Sequence, residues 1–357
     1  MKGLLTHGHK LNRLVLALLV SASVVACGGS SSTITSAGIS GTGVTQGTIT
    51  GFGSIFVNGV RYEVSDDTVF DVDGTPINVA THQEDLKVGM VVRLDWTSFD
   101  DGRTEADSVI YDDSIEGPIT SVITDITASR KSFVVMGVIV EVDDSTTVFH
   151  DSTASSTAFG FDTIAQNDVI EVSGFVDASG TVSATLVEKK SELVPGSTNT
   201  PVEMRGAITN LTQSAGSTGS FDLNGVSINF DSTTTLEDLP NGLQNGLVVE
   251  VKGAFSDTIP PSIQAREIEN EDDDDLGAGS SSDQSFSVQG LIAGFIDSDT
   301  EFTINGIRVR VGSSVPASTR NQLANGLLVE VEGSIINDVL QANQVEIRES
   351  QDRKSVV

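Results

Sequence analysis

The chain has 357 residues, and 50 acidic residues against 20 basic ones give it a formal net charge of −30 at pH 7. Because proteins neutralise the phosphates of nucleic acids with Lys and Arg, this balance argues against a nucleic-acid partner. Aromatic residues make up only 5% of the chain and glycine is common, with 35 residues, which favours short strands over long helices.

The amino end has the layout of a secretory signal. Lys2, Lys10 and Arg13 precede the apolar run Leu14–Val20, and residues 1–26 contain no acidic residue. The apolar run is too short for a retained transmembrane helix, which needs about 20 apolar residues. We therefore predict a cleaved signal peptide over residues 1–26.

The segment Val24-Val25-Ala26-Cys27-Gly28 resembles the lipobox of bacterial lipoprotein precursors. The resemblance implies that the thiol of Cys27 is acylated and that the chain is cut just before it. Cys27 is the only cysteine, so it has no disulfide partner within the chain. An incidental cysteine in a signal cut elsewhere is the alternative. Because Gly28 rather than an aspartate follows, we predict an exported protein that is lipid-anchored to the outer membrane and faces the periplasm or the cell surface.

Four similar segments follow a Gly, Ser and Thr-rich stretch, which predicts a lipidated flexible tether over residues 27–45. The third and fourth are the most alike, since Leu243–Gly253 matches Leu323–Gly333 nearly residue for residue. A recurring unit of this size indicates tandem domains. The predicted boundaries are 46–116 for repeat 1, 117–192 for repeat 2, 203–269 for repeat 3 and 286–348 for repeat 4, with an acidic, Ser-rich linker over 270–285 and a tail over 349–357.

Each repeat carries the signals of a curled antiparallel sheet. A strand with an early glycine opens it, as in Gly47-Thr48-Ile49, and Asn-Gly pairs such as Asn58-Gly59 predict type I′ hairpins. Repeat 2 has Met136-Gly137 at that place. Alternating apolar and charged residues over Leu247–Lys252 predict strands with one buried face. About five such strands bury a core only by curling, so we predict an all-β chain of four tandem small OB-like β-barrels after the lipoprotein signal. The segment Pro316–Leu323 predicts a short helix at a barrel mouth.

Three strings in repeat 1 resemble the bacterial family catalogued as domain of unknown function 5666: Gly53–Tyr62, Asp85–Val92 and Tyr111–Ile119. The later repeats share the Asn-Gly and Leu-x-x-Gly elements, so the resemblance covers residues 46–348. It implies domains of exported, lipid-anchored bacterial proteins, and it implies no activity.

The sequence offers few residues for catalysis. Only His82 and His150 remain after the predicted signal, and neither lies in a nucleophile-elbow motif. We predict that both are solvated loop residues, that the chain has no catalytic residue, and that it needs no cofactor. Clustered Cys and His ligands for zinc are also missing.

Calcium is the one metal that the sequence leaves open, because it takes carboxylate ligands. The weak candidates are Asp71 and Asp73 in Asp71-Val72-Asp73-Gly74. The glycine stands at the fourth position of this segment rather than the sixth, so no EF-hand loop is completed. A turn stabilised by its own aspartates is the favoured interpretation.

Two hypotheses of function follow. The first is a non-catalytic cell-envelope lipoprotein, acting as a spacer or as a binding module for another envelope component. The second is an envelope hydrolase or carbohydrate-active enzyme that uses a carboxylate pair in a cleft between domains.

Overall fold

The computed structural model describes residues 39–153, 158–214, 218–270, 284–295 and 300–348. The predicted signal peptide, Cys27, the tail and most of the predicted tether and linker lie outside these residues. Within them the chain is β structure apart from two short helices, which confirms the predicted all-β fold class. No helix in these ranges has the length and apolarity needed to cross a bilayer.

The strands follow the four repeats in chain order. Repeat 1 contains β1 (Ile39–Phe52), β2 (Ile55–Val57), β3 (Val60–Tyr62), β4 (Val69–Val72), β5 (Thr75–Ile77), helix α1 (His82–Asp85), β6 (Val91–Phe99) and β7 (Thr104–Tyr111). Repeat 2 contains β8 (Ile115–Pro118), β9 (Thr124–Thr127), β10 (Arg130–Val135), β11 (Val138–Asp143), β12 (Val148–Asp151), β13 (Asp168–Val176) and β14 (Val182–Glu192). Repeat 3 contains β15 (Thr200–Ala207), β16 (Thr209–Ser214), β17 (Thr218–Leu223), β18 (Val226–Phe230), β19 (Thr235–Glu237), β20 (Val248–Ser256) and β21 (Ser262–Asn270). Repeat 4 contains β22 (Gln284–Leu291), β23 (Glu301–Ile304), β24 (Ile307–Val311), helix α2 (Ala317–Arg320), β25 (Leu328–Ile336) and β26 (Val339–Ile347).

The hairpin of each repeat folds over the glycine of its first strand. Asn58 and Gly59 have φ values of 54° and 82°, which confirms the predicted positive-φ turn. A Cβ atom on Gly47 would lie 2.0 Å from the Asn58 Oδ1, so only glycine leaves room for this side chain. In repeat 2 the Met136 side chain covers Gly117 in the same way. The glycine and the turn residue therefore form one packing unit.

The Leu-x-x-Gly block closes each repeat against its first strand. Gly89 N–H donates a hydrogen bond to the Ile49 carbonyl at 2.9 Å. The equivalent bonds in the other repeats join Gly246 to Ile208, Gly326 to Ile292 and, in repeat 2, Asn167 to Ile119. The predicted short helix is also present, as α2 before Leu323. The repeated sequence motifs thus encode the contacts that curl each unit, while the finer likeness to an OB barrel stays a prediction.

The first strands of the repeats pair with one another, which the sequence did not indicate. In what we call the 1–4 joint, β1 pairs in parallel with β22 over Thr42–Gln46 and Gln284–Val288. In the 2–3 joint, β8 pairs antiparallel with β15. The repeats are therefore not the independent sheets that we predicted: repeats 1 and 4 share one sheet, and repeats 2 and 3 share another.

The buried side chains divide differently at the two joints. Repeats 2 and 3 contribute to one continuous hydrophobic cluster that runs from Ile115 to Ile268. Repeats 1 and 4 keep separate clusters, and Val44 is the β1 residue that enters the cluster of repeat 4. The 2–3 joint is therefore a shared core, whereas the 1–4 joint is mainly a strand pairing.

The predicted tether ends earlier than expected. Residues 39–45 belong to β1, which pairs with β6 on one side and β22 on the other. Thr45 is buried, and its hydroxyl is 2.7 Å from the Tyr62 hydroxyl. A strand held on both sides cannot act as a flexible tether, so that prediction is wrong for residues 39–45.

Gly89 is expected to be the least replaceable glycine of the Leu-x-x-Gly blocks. Its φ is 101°, and a Cβ atom would lie 2.8 Å from the Thr185 carbonyl oxygen of repeat 2. Gly326 has the same place in repeat 4 and a φ of 81°, but its Cβ would meet nothing within 4 Å. Gly326→Ala should cost about 1 kcal/mol for the positive φ, and Gly89→Ala about 3 kcal/mol because backbone must also move. Equal losses in urea unfolding would contradict the contact between repeats 1 and 2.

Candidate functional site

A row of glutamates crosses the sheet of repeats 2 and 3 where their first strands meet. Glu171 on β13 pairs with Glu188 on β14 and with Glu116 on β8, and Glu116 pairs with Glu203 on β15. Lys252 on β20 is opposite Glu203 and ends the row. We call the four acidic residues the glutamate row. Like charges directly opposite on neighbouring strands destabilise a sheet, so this arrangement needs compensation.

Two aspartates lie against the row. Asp73 occupies the β4–β5 turn of repeat 1, and Asp113 connects β7 to β8. The Asp113 N–H donates to the Asp73 Oδ1 at 3.1 Å. Carboxylate oxygens of Asp73, Asp113 and Glu203 lie within 4.8 Å of one another, as do those of Asp113, Glu116 and Glu171. We call these five residues the junction cluster, because repeats 1, 2 and 3 all contribute to it.

Lysines from repeats 2 and 3 partly neutralise the cluster. The Lys252 Nζ lies 3.3 Å from the Glu203 Oε1 and donates to the Asp73 carbonyl oxygen at 3.0 Å. The Lys190 Nζ lies 2.6 Å from the Glu171 Oε2, and the buried Tyr111 hydroxyl donates to the Glu171 Oε1 at 2.8 Å. The carboxylates still outnumber the ammonium groups. The Asp113 Oδ1 is buried and has no hydrogen-bond partner among the described residues.

The cluster holds protons more tightly than exposed acids do. Burial and the nearby Glu171 carboxylate raise the pKa of Asp73 from 3.8 to about 7. Burial and Glu203 raise the pKa of Asp113 well above its ordinary range, and burial and Glu250 raise that of Glu203. Burial lowers the pKa of Lys252, but Glu203 and Glu250 outweigh it, so the net shift is upward. Burial and like-charge repulsion therefore shift the pKa values of Asp73, Asp113 and Glu203 upward.

The structure distinguishes the two predicted calcium candidates, Asp71 and Asp73. Asp73 belongs to a group of three close carboxylates, which is a ligand set that calcium accepts. Asp71 belongs to none of the three such groups among the described residues. The Asp73 carboxylate also bonds to Asp113 N–H rather than to its own turn, contrary to the favoured interpretation. The Lys252 ammonium already lies beside Glu203 and would compete with a calcium ion for that carboxylate. Calcium binding at Asp73 stays a prediction.

The histidines differ from their predictions. His82 is buried in α1, with 7% of its surface exposed, and its ring stacks on Phe70 at 4.6 Å between centroids, so the solvated loop prediction is wrong for this residue. His150 lies on the strand β12 with an exposed side chain, 3.3 Å from the Glu188 Oε1. Ser152 donates a hydrogen bond to the same carboxylate, and its oxygen also lies 3.4 Å from the His150 Nδ1.

One cavity lies in repeat 4, apart from the junction cluster. It has a volume of about 220 Å³ and lies beside α2, with Phe295, Val311 and Arg320 among its lining residues. Pockets for metabolites usually measure about 300–1,000 Å³. This cavity is therefore smaller than a typical substrate site.

One repeated acid position, which includes Glu171 of the glutamate row, was a signal that the sequence analysis did not use. Glu171, Glu250 and Glu330 occupy the same position of the repeated block, and alternation predicted that such residues face solvent. They are instead buried, with 4%, 8% and 5% of their surface exposed. The recurrence of one acid at one strand position was the available indication. The strand that covers this glutamate position depends on how the repeats are joined.

The comparisons with known proteins identify a family for this chain. The family model described as domain of unknown function (DUF5666) matches residues 43–109, 116–188, 205–269 and 289–346. No curated protein matches the chain. A solved structure, a multidomain protein with nucleic acid binding domains from Streptococcus pneumoniae TIGR4, is 10% identical, and the match covers 66% of this chain and 77% of that chain with a TM-score of 0.14. A TM-score of that size carries no argument about fold or ligand.

Proposed function

Since this chain belongs to the DUF5666 family through four tandem matches, and since the family description assigns no activity, we propose a function from its own residues. We propose that it is a non-catalytic cell-envelope lipoprotein, anchored through Cys27 to the outer membrane. Its four β repeats serve as a spacer or as a binding module for another envelope component.

The joining of the repeats into two shared sheets is the observation that carries this proposal. The 1–4 joint and the 2–3 joint tie each first strand to another repeat by backbone hydrogen bonds. At the 2–3 joint, backbone pairing and the shared core limit movement between repeats 2 and 3, as a spacer or a rigid binding scaffold requires. The acidic surface favours a partner with positive charge over a nucleic acid.

Two buried glutamates of the glutamate row, Glu171 and Glu188, also have structural partners. Glu171 bonds to Tyr111 and Lys190, and Glu188 lies 3.4 Å from Lys87 of repeat 1. These contacts hold neighbouring repeats together. They support a scaffold role more directly than a catalytic one, because Glu171 and Glu188 are both already engaged with residues of repeat 1.

Replacement of Cys27 tests the anchor. Cys27→Ser should abolish incorporation of labelled palmitate and move the protein from the membrane fraction to the soluble envelope fraction, because the thiol is the only group that can form the thioether. Ser31→Ala, which leaves the thiol in place, serves as the matched control. Palmitate labelling that survives in Cys27→Ser would contradict the proposed anchor.

A second candidate function rests on the junction cluster. Close carboxyl groups with raised pKa values, such as Asp113 and Glu203, also occur in hydrolases that use one acid to protonate a leaving group. An enzyme of this kind would lose hydrolysis of chromogenic glycosides in Glu203→Gln and keep it in Glu192→Gln, whose side chain is 77% exposed. No hydrolysis above background by the unmodified chain would remove this candidate.

A further inference from the structure

The two joints differ in what holds them together. In the 2–3 joint, Ile115 and Met204 pair directly, and both belong to the cluster shared by repeats 2 and 3. In the 1–4 joint the additional bonds are polar: the Asn305 Nδ2 donates to the Gln46 Oε1 at 3.2 Å, and the Thr48 hydroxyl donates to the Gln289 Oε1 at 3.2 Å. Water can replace such bonds at little cost. The 1–4 joint is therefore the separable one.

Repeat 4 has what it needs to remain folded when the joint opens. Its cluster is built from residues of repeat 4, such as Phe286, Val309 and Val331, with Val44 as the contribution of β1. Its strands also pair among themselves, in the order β23, β24, β26, β25 and β22. Opening the joint would expose Val44 and the facing edges of β1 and β22, so repeat 4 can move as a body.

The edge of β1 is shaped for β22. A Cβ atom on Gly43 would lie 2.1 Å from the Trp96 ring of repeat 1 and 2.6 Å from the Ser285 carbonyl oxygen of β22, so the glycine leaves room for both neighbours. The pairing is parallel and in register over five residues, with Val44 opposite Phe286. An unpaired β1 would present its backbone N–H and C=O groups to any strand of matching shape. The strand that matches in shape, register and polar contacts is β22, and every copy of the chain carries one.

We propose that β1 is an assembly edge, at which the β22 strand of a second copy replaces the chain's own, so that two chains exchange their fourth repeats. The exchange recreates each 1–4 joint between chains and closes as a two-fold dimer without any new interface. Lipid anchoring of neighbouring copies would favour it but is not required.

Engineered cysteines test this exchange directly. Cys27 is the only native cysteine, so in a chain carrying Cys27→Ser any added thiol is unique. Thr42 is exposed, Gln284 is half-buried, and the two are opposite in the register of the joint. Chains carrying Thr42→Cys and chains carrying Gln284→Cys are mixed just below their melting temperature and then oxidised. The expected result is at least about tenfold more heterodimeric disulfide than in a mixture of Thr42→Cys with Thr124→Cys chains, because pairing raises the local thiol concentration to the millimolar range.

The double variant Thr42→Cys/Gln284→Cys provides the second measurement. Oxidation within one chain locks the joint. The locked protein should be monomeric in light scattering and should not pull down a tagged second copy. The unlocked chain should form dimers and should pull down the tagged copy. Equal heterodimer in the two mixtures would overturn the proposal. Equal pull-down by locked and unlocked chains would overturn it as well, since dimers that form with the joint closed use another surface.

Discussion

Raising the pH from about 5 to about 9 is expected to lower the melting temperature of the chain, because the junction cluster must then give up protons inside the fold. The Asp73 carboxyl has its pKa raised by burial and by Glu171 from 3.8 to about 7, and the pKa values of Asp113, Glu116 and Glu203 are also raised by burial. Each group binds its proton more tightly in the folded chain than in the unfolded one.

The direction follows from this difference. A group with a raised pKa contributes stability that is complete below its unfolded pKa and is lost as the pH rises through its folded pKa. For Asp73 the loss extends from about pH 4 to about pH 7, and the other acids extend it further upward. Since Asp73 is only half-buried, we expect a total loss of about 2–4 kcal/mol rather than the full sum of the shifts.

Glu203→Gln should flatten this pH profile. An amide carries no charge at any pH, and it removes the repulsion that Glu203 imposes on Asp113. The matched control is Glu192→Gln, whose side chain is 77% exposed and whose profile should follow that of the unmodified chain. Melting curves recorded at each pH check both variants. Parallel profiles for Glu203→Gln and the unmodified chain would show that the cluster does not control stability.

The local structure of the repeats could be predicted from sequence because it depends on residues close together in the chain. The pair Asn224-Gly225 has φ values of 48° and 82°, as the Asn-Gly signal predicts. Even Met136-Gly137 of repeat 2, which lacks the asparagine, forms the same turn with φ values of 43° and 88°. Here the space over Gly117 selects a long side chain, and the glycine after it supplies the turn.

The joints and the junction cluster could not be predicted, because they depend on which edges meet. A first strand such as β8 has the same alternation of residues whether its edge faces water or another repeat. Glu116 and Glu203 are far apart in the chain and become neighbours only when β8 pairs with β15. The alternation of apolar and charged residues, taken alone, therefore places such glutamates on the solvent face of the sheet. The burial of His82 was not predicted for a related reason. Its ring lies against Phe70 only because α1 folds back onto the strands of repeat 1.

Among the residues that contact the junction cluster, Lys252 is expected to give the most damaging single substitution when it is replaced by Met. The Lys252 Nζ lies 3.3 Å from both Glu203 and Glu250, and it donates to the Asp73 carbonyl oxygen of repeat 1. Removing one partner of a buried ion pair costs about 3–5 kcal/mol, and we expect the lower end because 23% of the lysine side chain is exposed. The loss should be measured near pH 10, above the pKa of about 9 to which burial and Glu250 raise Glu203, and it should shrink near pH 5, where Glu203 is protonated.

Arg61→Met is the control for removal of a cation from the surface. Arg61 and Glu63 form a pair whose side chains are 50% and 33% exposed, and such pairs contribute less than about 1 kcal/mol. A loss in Lys252→Met no larger than that in Arg61→Met would contradict the role of Lys252 in the cluster.

A double variant separates the two contributions of Lys252. Lys252→Met combined with Glu203→Leu leaves no uncompensated charge between these positions, and replacing both members of a buried pair by apolar residues is often neutral. Recovery of most of the stability would show that the single variant fails because Glu203 loses its counter-charge. The Asp73 carbonyl oxygen remains without its donor in both variants. Glu250 also loses its counter-charge in both variants, so a double variant as unstable as Lys252→Met would assign the loss to Glu250 or to this bond between repeats 1 and 3.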